Sequence, residues 1–177
     1  FASAVAAARL KERRGKQVEV LSAHMPMTEL VARLNSFQPA LLAPYASMAA
    51  MLADEQEAGR LDIHPALLAL SAEGLPQEEY GRIARVFNAK VGNSYAASEC
   101  MYLSSMCREG WLHVNADWVA FEPVDADYRP VAPGEQSHTV LISNLANRVQ
   151  PILRYDLGDS VLQRPDPCPC GNPLPAI

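Results

Sequence analysis

Three stretches of this chain combine residue types and spacing that can do chemistry. In Asn93-Ser-Tyr95-Ala96-Ala-Ser98-Glu99 an aromatic, a hydroxyl and a carboxylate fall within one short run. An aromatic face can stack on a planar base, a serine hydroxyl can hydrogen-bond a phosphate or carboxylate, and a hard carboxylate oxygen can hold Mg2+ beside substrate phosphates. Packing of the Tyr and a helix-start charge for the Glu are the plainer roles. In Gln150-Pro-Ile-Leu-Arg154-Tyr155-Asp-Leu-Gly158-Asp159, two acids, an arginine and an aromatic surround a glycine turn. Gly158 leaves Asp159 at a rim where it can meet a ligand, although an Asp beside Gly is also what an ordinary hairpin turn wants, and spacing alone favours the turn. The third stretch is a thiol set: the Cys168-Pro-Cys170-Gly171 knuckle, and Cys107 separated from His113 by Arg-Glu-Gly-Trp-Leu. Three thiolates and one imidazole suit tetrahedral zinc with no position left for water, which is the structural kind of site. Such a site clamps the Trp111 segment to the end of the chain. The alternative is that these are buried free cysteines behaving as small apolar residues. Cys100 is the leftover thiol and reads as packing.

Other chemistries find little support. No Gly-x-Ser-x-Gly elbow, Gly-x-x-x-x-Gly-Lys loop or Gly-x-Gly-x-x-Gly turn occurs. His24 and His64 precede prolines and His138 begins a strand, so all three read as satisfied or solvent-facing. A net charge of -5 and the lack of a basic stripe argue against nucleic acid, since nothing would displace counterions from phosphates. Lys11 to Lys16 reads as the cationic end of a helix. Hydrophobic residues at 49% and charged residues at 20% describe a globular chain with no apolar run near the ~20 residues of a membrane span. The 177 residues suffice for one domain, or one with a small appendage. Four cysteines without a secretory signal point to a reducing, cytoplasmic setting. The start at Phe1, in mid-pattern, reads as a fragment of a longer protein.

The elements that must position these residues alternate. Ala2 to Arg13 reads as a helix stopped at Gly15, Gln17 to Leu21 as a short strand, and Leu30, Val31, Leu34 and Phe37 as one face of a helix capped at Thr28. Leu41 to Ala43, Ala66 to Ser71 and Lys90 to Tyr95 read as strands, with helices over Ala46 to Ala58 and Glu78 to Phe87. This pattern predicts an α/β class, a parallel sheet flanked by helices, with ligands beyond the carboxyl ends of its strands. That rule selects Ala72-Glu73-Gly74 and Tyr95 to Glu99. From Cys107 onward Trp111 to Val114, Asp117 to Val124, Ser137 to Leu145, Ile152 to Tyr155 and Ser160 to Gln163 read as strands. The expected organisation is an α/β part over 1–106 and a β-rich part over 107–177 carrying the zinc site.

Taken in order, these motifs resemble the adenylate-forming ligases, and within them the phenylacetate-coenzyme A ligase-like branch. Tyr95-Ala-Ala-Ser98-Glu99 is similar to that family's Tyr-Gly-x-Thr-Glu motif, and Arg154-Tyr155-Asp-Leu-Gly158-Asp159 to its Tyr-x-x-Gly-Asp motif. Ala72-Glu73-Gly74 stands where the family has a Gly-Glu turn. Leu112 to Trp118, Glu122 to Asp125, Asn144-Leu145 and Cys168-Pro-Cys-Gly are similar to the branch in particular, and the likeness covers nearly all of the chain. The resemblance implies a carboxylic acid that attacks the α-phosphorus of ATP to give an acyl-adenylate and pyrophosphate, followed by displacement of AMP by the coenzyme A thiol. It implies that Tyr95 stacks on adenine, Ser98 contacts the phosphate or acyl carboxylate, Glu99 binds Mg2+ and Asp159 holds the ribose hydroxyls, with Glu73 and Arg154 on the nucleotide side.

Ala96 departs from the family's Gly and Ser98 from its Thr, the second keeping the hydroxyl. The resemblance also implies a phosphate loop upstream of Phe1 and a small C-terminal domain with a catalytic lysine beyond Ile177, so the chain alone is expected to be inactive or nearly so. Its expected partners are an aryl or other small carboxylic acid, a nucleotide and the rest of the parent chain, with neither nucleic acid nor membrane; homodimerisation is left open. The competing expectation is a zinc-stabilised binding or assembly module with a ligase-like fold and no chemistry.

Overall fold

The spacing of Leu30, Val31 and Leu34 is what makes the helix α2 (Met27–Phe37) bury one stripe, and all three side chains are buried. The structure, a computed structural model, describes residues 2–177, with side chains from residue 8 onward. Two compact units divide it, Phe1–Val91 and Gly92–Ile177.

In the first unit α1 (Ala2–Arg14), α2, β1 (Leu41–Leu42), α3 (Ala46–Glu57), β2 (Leu67–Ser71) and α4 (Gln77–Phe87) follow one another, and β3 (Lys90–Ser94) begins at its end. The sheet order is β1-β2-β3, and β1 pairs with β2 in parallel, Leu41 opposite Leu67. Leu68 and Leu70 point from β2 into a core shared with Leu34, Ala49, Leu52, Leu61, Ile63, Ile83 and Phe87. On α4 the side chains of Ile83 and Phe87, one turn apart, are both fully buried. Two of these helices stop the same way, at a residue in the left-handed region whose N–H turns back on the last turn: Gln38 (φ 53) after α2 and Asn88 (φ 48) after α4. The parallel sheet flanked by helices is thus the α/β class expected from the alternation.

Two expected features differ. Gln17 to Leu21 is not a strand: a 3-10 turn over Gly15–Gln17 is followed by extended backbone at Val18 (φ -131, ψ 125) that no sheet neighbour pairs. Extended residues become a strand only when a partner ladder closes on them, and here Glu19 is engaged through its side chain by Lys11 and Arg33 instead. Thr28 is not the cap of α2; Pro26 stands at that position and makes no side-chain cap bond. Proline's fixed φ sets the entry angle without a hydroxyl.

The second unit is antiparallel. β4 (Ser104–Met106) pairs with β5 (Leu112–Val114), and β6 (Val119–Val124), β7 (Thr139–Asn144) and β8 (Ile152–Asp156) form a sheet with β7 in the middle. Val140 and Ile142 of β7 are fully buried with Val119, Leu103 and Cys100, and Tyr95, Phe121, Leu157 and Val161 pack against them. The change of texture placed at 106/107 falls inside this unit, because the segment from Tyr95 to Met106 is tied to β5 and to this core. Ser160 to Gln163 forms no strand; a lone bridge joins Leu162 to Gln136, and Ser137 holds Val161 through its hydroxyl.

Candidate nucleotide and metal sites

Ser98 and Glu99 sit at the tip of a tight turn. Ala97 and Cys100 exchange both backbone hydrogen bonds, at 3.1 and 3.0 Å, leaving those two residues as the loop. Ser98 is exposed and Glu99 half-buried. The turn is anchored at both ends: Cys100 is buried in the second unit's core, and the Tyr95 N–H donates to Ser104 Oγ at 2.9 Å. From the side, Asn144 Nδ2 of β7 donates to the Glu99 carbonyl at 2.9 Å while its Oδ1 accepts the Ala146 N–H at 3.1 Å.

Asp159 lies just beyond β8, after Gly158, whose φ of 72 is the conformation glycine adopts without strain. Its carboxylate meets the first turn directly, since the Tyr95 hydroxyl donates to Asp159 Oδ2 at 2.6 Å. Burial, and then the hydrogen bond and charge of Asp159, push the Tyr95 phenol well above its ordinary value. A hydrogen bond to Glu99 raises Tyr155 as well. Tyr95, Ser98, Glu99 and Asp159, far apart in sequence, thus belong to one unit, with two tyrosine hydroxyls turned toward its two acids.

Arg154 and Glu73 are engaged elsewhere. Arg154 Nη1 pairs with Glu122 Oε1 of β6 at 2.6 Å. Its φ of 46 marks an irregularity in β8, where the register slips between Ile142 and Asn144. Glu73, in the first unit, follows Ala72 at φ 70, and its Oε2 accepts the Ser47 N–H at 2.9 Å. The capping position of α3, Tyr45, makes no side-chain cap bond, and Glu73 serves that end of the helix from outside. The Ser47 side chain and then its N–H hold the Glu73 carboxyl below its usual range.

The thiol set comes together as well. The ligand atoms of Cys107, His113, Cys168 and Cys170 all lie within 4.8 Å of one another. Each is turned inward by local backbone. Gly110 (φ 83) closes the loop in which the Cys107 N–H donates to the Trp111 carbonyl at 2.8 Å. Gly171 (φ 85) closes the knuckle, with its N–H on the Cys168 carbonyl at 3.0 Å and the Asn172 N–H on Cys170 Sγ at 3.4 Å. The chain end adds to β5, Leu112 N–H to Ile177 O at 3.1 Å and Val114 N–H to Pro175 O at 2.8 Å.

A tetrahedral ion with metal–sulfur bonds of about 2.3 Å and metal–nitrogen bonds of about 2.0 Å requires sulfur–sulfur edges near ~3.8 Å and sulfur–nitrogen edges near ~3.5 Å. Here Cys107 Sγ and Cys168 Sγ are 3.8 Å apart, and Cys170 Sγ and His113 Nε2 are 3.3 Å apart. His113 Nδ1 lies 2.9 Å from the Leu174 carbonyl, so it carries the proton and leaves the Nε2 lone pair facing the sulfurs. Burial alone would raise the Cys107 thiol, but backbone hydrogen bonds from Glu109 and Trp111 and the His113 and Cys168 side chains bring it down to about 7. The Cys170 backbone favours the Cys168 thiolate, yet burial and the sulfurs of Cys170 and Cys107 push that thiol up. Thiols this close resist ionising together unless a cation joins them. The donor set fits a zinc-sized ion. Cys100 is outside it, in the core.

Sequence reasoning did not single out Asn144, Asp156, Thr139 or Tyr128 for a role, although all contact the two turns. Asp156 could have been suspected, since an Asp two residues before a glycine amide is the spacing of an Asx turn.

No family model matches the chain. Over 133 residues it is 26% identical to Protein CapK of Staphylococcus aureus, covering 74% of this chain and 28% of that protein. Its fold is similar to 2-hydroxyisobutyryl-CoA ligase in an open conformation in complex with 2-HIB-AMP and CoA, with a TM-score of 0.73 and 23% identity over 90% of this chain and 37% of that one. A benzoate CoA ligase from Burkholderia xenovorans LB400 gives a TM-score of 0.60 and 18% identity, over 82% of this chain and 33% of that one. The N-terminal subdomain of Klebsiella oxytoca NpsA, in complex with 3-hydroxyanthranilyl-AMSN, gives 0.55 and 12% identity, over 82% and 42%. At these identities the likeness shows the fold alone. The chain spans 37% of the 2-hydroxyisobutyryl-CoA ligase chain and 28% of CapK. Among the described residues no helix is long and apolar enough to cross a membrane.

Proposed function

We propose that this chain supplies the adenosine-facing and Mg2+-facing side of an ATP-dependent carboxylic acid–coenzyme A ligase of the phenylacetate-coenzyme A ligase-like branch, acting within a longer parent protein. The observation that carries this reading is the 2.6 Å contact between Tyr95 and Asp159, which joins an aromatic-hydroxyl-acid turn to a distant turn acid in one unit. In this reading Tyr95 offers its ring to adenine, Asp159 accepts from the ribose hydroxyls, and Ser98 contacts the phosphate or the acyl carboxylate. Arg154 supports the nucleotide side through the β8 irregularity. A carboxylate attacks the α-phosphorus, pyrophosphate leaves, and the coenzyme A thiol then displaces AMP from the acyl-adenylate. Two anions must be brought together and aligned for this to occur, so neutralising charge and fixing geometry are the chief demands. Glu99 would hold Mg2+, which would supply the charge neutralisation. An aryl acid such as phenylacetate, or a related acid, is the proposed substrate class.

The Cys107, His113, Cys168 and Cys170 set is proposed to hold a structural zinc ion that ties β5 to the chain end. A second reading has a specific observation in its favour. Arg154 is engaged by the Glu122 carboxylate, as a zinc-stabilised assembly module without nucleotide affinity would have it. Titration with ATP and Mg2+, followed by thermal shift, separates the two, because a ligand selective for the folded state raises its melting temperature. The ligase reading expects a rise that Glu99→Gln and Asp159→Asn each diminish. No rise in the full-length parent protein, and no pyrophosphate exchange by it with any of a panel of carboxylic acids, would leave the module reading.

A further inference from the structure

Asp156, the last residue of β8, sits on the surface yet its carboxylate is held by three donors. Oδ2 accepts the Tyr128 hydroxyl at 2.8 Å, while Oδ1 accepts the Thr139 hydroxyl and the Gly158 N–H, the latter at 2.9 Å. Thr139 Oγ1 in turn accepts from the same Gly158 N–H at 3.0 Å. Tyr128 reaches Asp156 from a backbone in the left-handed region, φ 59, which a bulky residue adopts only where its surroundings enforce it. These groups converge on the Leu157–Gly158 peptide, one before the peptide that leads into Asp159. The preceding residue is fixed as well: the Leu157 N–H donates to Val140 O at 3.0 Å, and its side chain packs on the core that Tyr95 also touches.

Gly158 alone would leave this turn free, because glycine populates both signs of φ. The clamp selects one conformation, with φ 72 at Gly158, and that conformation presents Asp159 Oδ2 to the Tyr95 hydroxyl. We propose that Asp156 is a positioning residue: through Gly158 it fixes the carboxylate of Asp159, so that recognition of the ribose hydroxyls of a nucleotide depends on it. This rests on the proposed nucleotide reading and deepens it, since it names the residue that makes the ribose contact selective. Asp156 itself touches no ligand; it acts through the turn.

The test compares affinity for AMP with affinity for 2′,3′-dideoxy-AMP, measured calorimetrically on the parent protein and on Asp156→Asn, Asp159→Asn and Tyr128→Phe. A hydrogen bond to a charged acceptor makes the preference for AMP on the order of tenfold or more in the unsubstituted protein. Asp159→Asn removes most of that preference. Asp156→Asn is expected to reduce it several-fold while leaving the affinity for the dideoxy nucleotide unchanged, a split that general destabilisation would not produce. Tyr128→Phe, which deletes one donor and keeps the fold, moves the preference the same way by a smaller factor and carries the test if Asp156→Asn does not fold. Full preference in Asp156→Asn or Tyr128→Phe alongside its loss in Asp159→Asn overturns the positioning role and leaves the nucleotide reading standing. Equal weakening of both nucleotides by Asp156→Asn overturns it too. Absence of any preference in the parent protein, or its survival in Asp159→Asn, defeats the ribose role of Asp159 and the positioning role together.

Discussion

Stripping the metal from the thiol–imidazole set is the perturbation whose size can be worked out most directly. The 3.8 Å and 3.3 Å edges between its donors match what a zinc ion needs, and His113 is already oriented by Leu174, so little rearrangement accompanies binding. Because the four donors come from β4–β5 and the chain end, the site exists only when the second unit is folded, and binding free energy becomes folding free energy. Free zinc at a hundred times Kd then adds about 2.7 kcal/mol. For a unit the size of a small domain this corresponds to a melting shift on the order of 10–20 °C. Differential scanning calorimetry with and without a strong chelator, on reduced protein, measures it. Elemental analysis should give about one zinc per chain, and Cys168→Ser or Cys107→Ser should remove the chelator sensitivity. Cys100→Ser should retain it, since that thiol lies in the core. Zinc-free protein after purification under reducing conditions, with a melting temperature indifferent to chelator, would refute the reasoning.

Other consequences are measurable on the same protein. Asp156 has its carboxyl held below the usual carboxylate range, chiefly by the Thr139 hydroxyl and then by the Gly158 N–H and Tyr128. A depressed native value means the stabilisation is present above the unfolded value near ~3.9 and is lost as pH falls through the native one. The melting difference between the parent and Asp156→Asn should therefore be full at neutral pH and vanish in acid; a constant difference would contradict it. Phe87→Ala should cost about 3–5 kcal/mol in chemical denaturation, because the ring is 1% exposed in the centre of the first unit. Glu73→Gln should lower the melting temperature of the first unit by weakening the end of α3, and Ser47→Pro, which deletes the donated N–H, should make the further loss from Glu73→Gln disappear.

Local periodicity carried most of the element assignments. Leu30, Val31 and Leu34 on α2 and Ile83 and Phe87 on α4 fall on buried stripes because an α-helix returns every 3.6 residues whatever surrounds it. Gln17 to Leu21 failed the same logic, since a strand is defined by its neighbour and no residue pattern supplies one. Glu73 is a comparable case. Its proximity to Ser47 depends on a left-handed Ala72 that no propensity would favour.

By itself the sequence determined the inventory: the helices and most of the strands, the cysteines and histidine able to make a zinc donor set, and the Tyr95 to Glu99 and Asp159 motifs. Only the tertiary structure decided which of these meet. It closed the Cys107–His113 pair onto the Cys168–Cys170 knuckle, carried the Tyr95 hydroxyl to Asp159, and gave Arg154 to Glu122. Composition and periodicity are properties of neighbours along the chain, whereas a contact between residues sixty positions apart exists only once β7 has brought the flanking segments onto one core, and no local rule encodes that closure.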